Sequence, residues 1–418
     1  MKQTRRGFLK ATGATGVAGI AGSASALAQN QSITFYNAGS LEFDPGTEQN
    51  ISRFEDETGI TVNVNEVPWQ NLKTTLITQW RNQSSDADAF NGPTWWLGDF
   101  VAANWVEPLE LGDDHMSNFP DNLRSLVTFD GQTYMAPQLG KWGSYLYDAQ
   151  YLSEQGVDSP PSTWDEVVQM GEQLSSGDKS GFGFTWANKD VFTFKQFLYQ
   201  AGGQLFNDNN EPQFTSDAAV GVFRDFITPL RERGVIPDGL QSMGEGGVGD
   251  AFIGGQFATV ESWTPLGARA LGEDNWGAER LGVARPPEGP ESRATFQDTN
   301  GVSVSAFSQN KDAAKRFAKF MSTTQSCKTD MLVEGNPAAI PAVYEDSEIR
   351  DKYPGKWLDV NKFNLQNAES EIYRAQPQVD DILSNQITPA LLGEKEPQAA
   401  LQQAQEEVTS LYENLGIL

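Results

Sequence analysis

The sequence predicts an α/β protein with two domains, and three observations carry that expectation. After an N-terminal leader the chain opens on a strand–helix–strand unit, the usual start of a parallel sheet. Without residues 1–28 the 418-residue chain keeps about 390, more than a single hydrophobic core ordinarily serves. Proline-marked breaks at Pro137 and at Pro286-Pro287-Glu288-Gly289-Pro290 separate regions of different character.

The leader has its own signature. Thr4-Arg5-Arg6-Gly7-Phe8-Leu9-Lys10 reads as a twin-arginine export signal, followed by a weakly apolar run to Ala28. That run ends in Ala26-Leu27-Ala28, a small-x-small cleavage site, and is too rich in Gly, Ser and Thr for a membrane anchor. No Cys near the site could take a lipid, and the single thiol, Cys327, cannot form an intramolecular disulfide. Stability outside the cell must then come from a large core.

In order, Ser32 to Asn37 is β-prone and Thr47 to Thr58 is helical, with Ile51 and Phe54 inward and Gly59 as the stop. Ile60 to Val64 alternates as the next strand, and Leu72 to Trp80 forms a helix. Ser84 to Phe90 leads into a third strand, and Val101 to Trp105 is read as helical. Asp130-Gly131 marks a hairpin before a strand ending at Pro137. Gly143 to Tyr147 is strand-like. Ser162 and Thr163 cap a helix with Trp164, Val167, Val168, Gly171 and Leu174 on one face. Phe192–Ala201, Asp217–Arg233 and Val248–Gly254 continue as helices, and the glycine-rich stretch Met243–Gly249 reads as a loop. Val302 to Ala306 is a strand, Ala313 to Met321 a helix, and Pro397 opens a last helix with Ala400, Leu401, Ala404, Val408 and Leu411 on one stripe.

Composition excludes several classes. The 56 acidic against 30 basic residues give −26, and −30 once Lys2, Arg5, Arg6 and Lys10 leave with the leader. Such a surface repels nucleic acid. The carboxylates are scattered singly and in pairs, a pattern that fits adaptation to high salt better than calcium loops with alternating oxygen ligands. With His115 as the one imidazole, metal hydrolysis has no ligand set, and no cofactor is expected. Aromatic residues make up 11% of the chain, enough for a packed core and against disorder.

Four segments together carry a family resemblance: Phe54-Glu55-Asp56-Glu57-Thr58-Gly59-Ile60-Thr61-Val62, Pro160-Pro161-Ser162-Thr163-Trp164-Asp165-Glu166, Ala251-Phe252-Ile253-Gly254-Gly255-Gln256-Phe257-Ala258 and Leu391-Leu392-Gly393-Glu394-Lys395-Glu396-Pro397. In this order they resemble the maltose-binding-protein-like family of extracellular solute-binding proteins. The likeness is greatest to archaeal trehalose/maltose-binding proteins, over Ser84–Leu109 and Pro160–Leu205. The resemblance implies a periplasmic-binding-protein-like α/β fold of two discontinuous lobes, 29–138 plus 292–342 and 139–291 plus 343–418, with a ligand cleft between them. It further implies hinge closure on a small sugar or related polar solute, a monomer, and delivery to the permease of an ABC importer, without catalysis.

Sugars offer flat C–H faces to aromatic rings and hydroxyls to planar polar groups. Trp96, Trp142, Trp186 and Trp263 stand at predicted loops or strand ends, where the resemblance places the cleft, while Trp164 belongs to a helix core. Ser40 and Glu42 follow the first strand, Lys141 precedes Trp142 at the first crossing, and Asp298 and Asn300 stand at the return crossing. Three departures loosen the sugar assignment. Pro93-Thr94 replaces an acidic residue before Trp96, Lys141 stands where an acid is common, and Asp298-Thr299-Asn300 replaces Gly-Gly-Trp. A polyol or a glycerol phosphate stays open as ligand, and a sensory transducer as an additional partner. A secreted glycoside hydrolase would need two opposed carboxyls, and no local signature singles out a pair.

Overall fold

In the computed structural model the described residues are 31–186, 191–272 and 275–418. The export-signal expectation therefore lies outside them. The strands are, in chain order, β1 (Ser32–Ala38), β2 (Thr61–Val67), β3 (Ala89–Pro93), β4 (Thr128–Phe129), β5 (Gln132–Thr133), β6 (Ala136–Leu139) and β7 (Gly143–Asp148). Beyond these come β8 (Ser180–Phe184), β9 (Phe257–Trp263), β10 (Leu281–Ala284), β11 (Thr295–Phe296), β12 (Asn300–Val304) and β13 (Ala368–Glu369). They build two main sheets, ordered β2-β1-β3-β12-β6 and β10-β7-β9-β8.

Each sheet belongs to one lobe, and the chain passes between them three times. It leaves the first sheet after Leu139 to enter β7, and returns from β10 through β11 to β12. The helices Lys311–Met321 and Thr324–Glu334 then pack back on the first lobe. Gly140 N donates to Pro337 O (2.8 Å) and Leu139 bridges Ala338, which carries the chain across a third time. Helices from Gly355 to Asn414 finish the second lobe.

Local sequence explains the first lobe well. Successive side chains on β1 face opposite ways, so Phe35 joins Phe54 and Phe317 on one side, and Tyr36 joins Leu72, Trp80 and Phe90 on the other. Ile51 and Phe54 are buried on the helix Pro45–Thr58, and Gly59 ends it in the left-handed region at φ 69°. Asp130 and Gly131, both at positive φ, turn β4 into β5. Pro137 does not end its strand. It sits inside β6, at the sheet edge, where a missing N–H is tolerated.

Three expectations shift. The helix near Trp105 runs Leu97–Ala102, and Trp105 lies beyond Asn104 at φ 55°. The strand expected to reach Ala306 ends at Val304. Met243–Gly249 is not a loop: the helix Gly244–Ile253 begins inside it, anchored by the buried Val248, Ala251 and Phe252. Tertiary packing outweighs the low helix propensity of glycine there.

The helix Trp164–Leu174 buries Trp164, Val167, Val168, Gly171 and Leu174. Thr163 Oγ1 accepts Glu166 N (3.2 Å), while Glu166 Oε2 accepts Ser162 N and Ser162 Oγ (both 2.7 Å). Those bonds from Ser162 hold the Glu166 carboxyl below its ordinary range. Thr163→Ala is expected to cost about 1 kcal/mol in urea unfolding. A change under a few tenths would mean that the Ser162–Glu166 pair caps the helix alone.

Candidate functional site

Loops that follow parallel strands gather on one sheet edge, where α/β proteins place their ligands. In the first lobe β1 runs out at Gly39-Ser40, β2 at Pro68-Trp69, β3 at Thr94–Trp96 and β6 at Gly140-Lys141. Because β12 is antiparallel to β3 and β6, its start at Asn300, just past Asp298, reaches the same edge. In the second lobe β8 and β9 are parallel and run out at Thr185-Trp186 and Trp263, and β7 begins opposite, with Gly143 paired to Trp263. Two crossing segments join these edges: Asp298 N donates to Lys141 O (2.9 Å), and Trp142 bridges Gln297.

All nine residues singled out in the sequence stand at these edges, but not with equal access. Ser40 is half-buried; its Oγ lies 3.2 Å from Glu66 Oε1 and accepts Glu42 N (3.3 Å), closing the short turn Leu41–Phe43. Glu42 is exposed. Lys141 places its Nζ 5.5 Å from the ring centre of Trp69. It also faces Asp44, whose carboxyl burial pushes up while the Asn37 hydrogen bond and Lys141 pull it down. Asp298 accepts Thr94 Oγ1 at 3.4 Å. The buried Asn300 Oδ1 has no hydrogen-bond partner among the described residues.

The four tryptophans are all largely buried. Trp142 is 0% exposed, with Nε1 donating to Asn361 Oδ1 at 3.0 Å. Its ring covers Gly140 so closely that a Cβ there would stand 2.2 Å away. Trp186, 5% exposed, donates to Thr388 Oγ1 at 3.1 Å. Trp263, 7% exposed, packs against Phe192 (4.3 Å between ring centres) and Phe296 (5.7 Å). Trp96, 2% exposed, stacks under Trp69 at 5.6 Å and 23°. Each ring packs against an aromatic or polar partner distant in sequence.

The open ring is Trp69, which the sequence analysis did not single out. It is the one exposed tryptophan among the described residues, at 38%. Its signal was present: Trp69 follows the strand Thr61–Val67 by two residues, as Trp96 follows β3 by three, and it opens the helix Trp69–Arg81 ahead of the expected start at Leu72. Glu66 and Asp44 were likewise missed, and both stand beside residues that were named.

The second lobe holds a buried acid behind the edge. Glu261 on β9 is buried, and neither carboxylate oxygen has a hydrogen-bond partner among the described residues. Burial pushes its carboxyl up to about 8, offset in small part by the nearby Gln196 side chain. Gln196 Oε1 in turn lies 2.9 Å from Thr295 Oγ1 and accepts Phe296 N (3.3 Å) on the crossing strand. An unfolded glutamate releases its proton near 4.5, so between 4.5 and about 8 the folded chain holds the extra proton. Stability from this group therefore falls as pH rises through that window and levels off above it. Glu261→Gln is expected to flatten the corresponding fall in melting temperature; equal slopes in both proteins would take Glu261 out of the account.

The family model described as bacterial extracellular solute-binding protein matches residues 37–326. A putative binding protein of Brucella abortus (strain 2308) is 25% identical over 394 residues, covering 91% of this chain and 92% of its own. The maltotriose-binding protein of Pyrococcus abyssi is 23% identical over 268 residues, 61% of this chain and 55% of that protein. Among solved structures, maltose-bound MalE3 of T. maritima superposes with a TM-score of 0.79 at 21% identity, covering 91% of this chain and 99% of that one.

Proposed function

The chain belongs to the bacterial extracellular solute-binding protein family, and from that membership we propose that it captures a small sugar between its lobes for an ABC importer. The observation that carries the reading is the convergence of both sheet edges on the crossing segments. There the exposed ring of Trp69 stands beside Lys141, which also faces Asp44, with Glu42, Asp298 and Asn300 along the same edge. A ring face suits a pyranose C–H face, and the flanking charged and amide groups suit its hydroxyls. Trp263 is assigned to the far wall. In this reading the lobes, 29–138 plus 292–342 and 139–291 plus 343–418, close about the crossings, and the permease reads the closed form.

A polyol is the second reading. One exposed tryptophan leaves little stacking surface for a long oligosaccharide, and a short linear solute would need no second platform. Export by the twin-arginine route rests on Thr4–Lys10, and a surface adapted to high salt rests on the −26 balance.

Tryptophan fluorescence and melting temperature in concentrated salt, across monosaccharides, disaccharides, polyols and glycerol phosphates, test the reading. A saturable shift with one sugar, and no product formed, is expected. Saturation by a polyol alone would favour the second reading. Slow cleavage of a glycoside, with no binding signal from any other compound, would replace both with a hydrolase.

A further inference from the structure

One polar contact away from the nine named residues ties the lobes together. The helix Leu97–Ala102 leaves β3 through Thr94–Trp96 and belongs to the first lobe. Its Gly98 lies against the second lobe: a Cβ there would stand 3.0 Å from Ile372 Cγ2 and 3.2 Å from Tyr373 O. One residue on, Asp99 Oδ1 accepts Ala375 N at 3.0 Å, with Arg374 Nε at 3.7 Å. Asp99 Oδ2 stands 3.6 Å from Lys73 Nζ on the first-lobe helix Trp69–Arg81.

The partner segment is fixed to the second lobe. Tyr373 packs on Phe206 with 5.0 Å between ring centres, and Tyr412 Oη donates to Arg374 O at 2.8 Å. Ala375, at φ 54°, occupies the N-cap of the helix Gln376–Leu391 and has no side chain that could cap it. Ser, Thr, Asp or Asn ordinarily serves there, and a carboxylate near the first turn is favoured by the helix dipole. Here that carboxylate comes from the other lobe.

We propose that Asp99 is an interlobe latch, a first-lobe carboxylate that caps a second-lobe helix and biases the protein toward the arrangement in which its lobes meet. The proposal rests on the two-lobe, hinge-closing reading above. A contact available to one arrangement alone shifts the equilibrium by its differential free energy, whatever solute later enters. Lys73 aligns the carboxylate from its own lobe, and Arg374 adds attraction from the other.

Spin labels at Asp86→Cys and Asp165→Cys, exposed sites on the two lobes, report interlobe distance in the ligand-free full-length protein; buried Cys327 does not compete for label. In Asp99→Ala a longer-distance component is expected to grow at the expense of the wild-type one, and in Arg374→Ala to grow less. Affinity for whichever solute the panel identifies is expected to drop by about fivefold in Asp99→Ala. An unchanged distance distribution in Asp99→Ala, with native circular dichroism, would overturn the latch. Should Asp99→Ala fail to fold, the half-exposed Arg374→Ala decides by the same readout. Because the distances are read without ligand, a failed solute panel would strike the sugar reading and leave this comparison intact.

Discussion

Trp69→Ala is expected to weaken solute binding by roughly thirtyfold, about 2 kcal/mol, while leaving the fold in place. The side chain is exposed, so its removal opens no core cavity, yet its ring is held rigidly by stacking on Trp96. A platform already fixed before the ligand arrives loses little rotamer entropy on binding, which is why such rings dominate interface energetics. Trp69→Phe keeps a smaller face at the same place and is expected to lose less, about three- to fivefold. Isothermal titration with the solute identified by the fluorescence panel measures both. Wild-type affinity in Trp69→Ala, with an unchanged melting temperature, would move the stacking face elsewhere, with Trp263 the next ring to test.

Much of the fold could be read from the chain because its causes are local. The buried face of Trp164–Leu174 follows from 3.6-residue spacing and a cap three residues away, and every position expected to be inward is buried. The strand–helix–strand opening is equally local, with Gly59 stopping a helix within reach of its own amphipathic stripe. Where the cause is distant, reading failed. Gly244–Ile253 carries three glycines before Val248, and nothing nearby announces that Arg269 and Leu266 close over Gly249. The helix Gln376–Leu391 carries Pro389 in its interior, a sequence breaker, and is held by packing against the helix Pro397–Asn414.

The site divides the same way. That tryptophans stand at strand ends was legible, since strands and the loops after them can be placed from pattern. Whether each ring faces ligand or core was not, since burial is decided by Asn361 for Trp142, Thr388 for Trp186 and Phe296 for Trp263. Asp99 is the extreme case. Its backbone partner Ala375 lies 276 residues along the chain, and an aspartate in a short helix has no local feature that points there.

The largest stability effect is expected from the ion pair behind the second-lobe edge. Lys195 and Asp380 are both buried, with Nζ–Oδ2 at 3.0 Å. Tyr373 Oη donates to Asp380 Oδ1, and Gln376 Nε2 stands 3.4 Å from Oδ2. The Lys195 ammonium also lies 5.3 Å from the ring centre of Phe296 on the crossing strand and 5.4 Å from that of Tyr373. One charge pair thus joins the helix Phe192–Gln200, the return crossing and the helix that Asp99 caps. Lys195→Met deletes the cation and leaves a carboxylate out of water, a change that typically costs about 3–5 kcal/mol. Lys195→Met with Asp380→Leu removes both charges, and the same desolvation argument predicts that the double variant recovers much of that loss. Guanidinium-induced unfolding of the four proteins of this cycle measures the coupling. A single variant within about 1 kcal/mol of wild type would mean that the remaining partners of Asp380, Tyr373 and Gln376 among them, satisfy it without Lys195. A double variant less stable than either single one would show instead that the pair fixes the register of the crossing strand, as its contact with Phe296 allows.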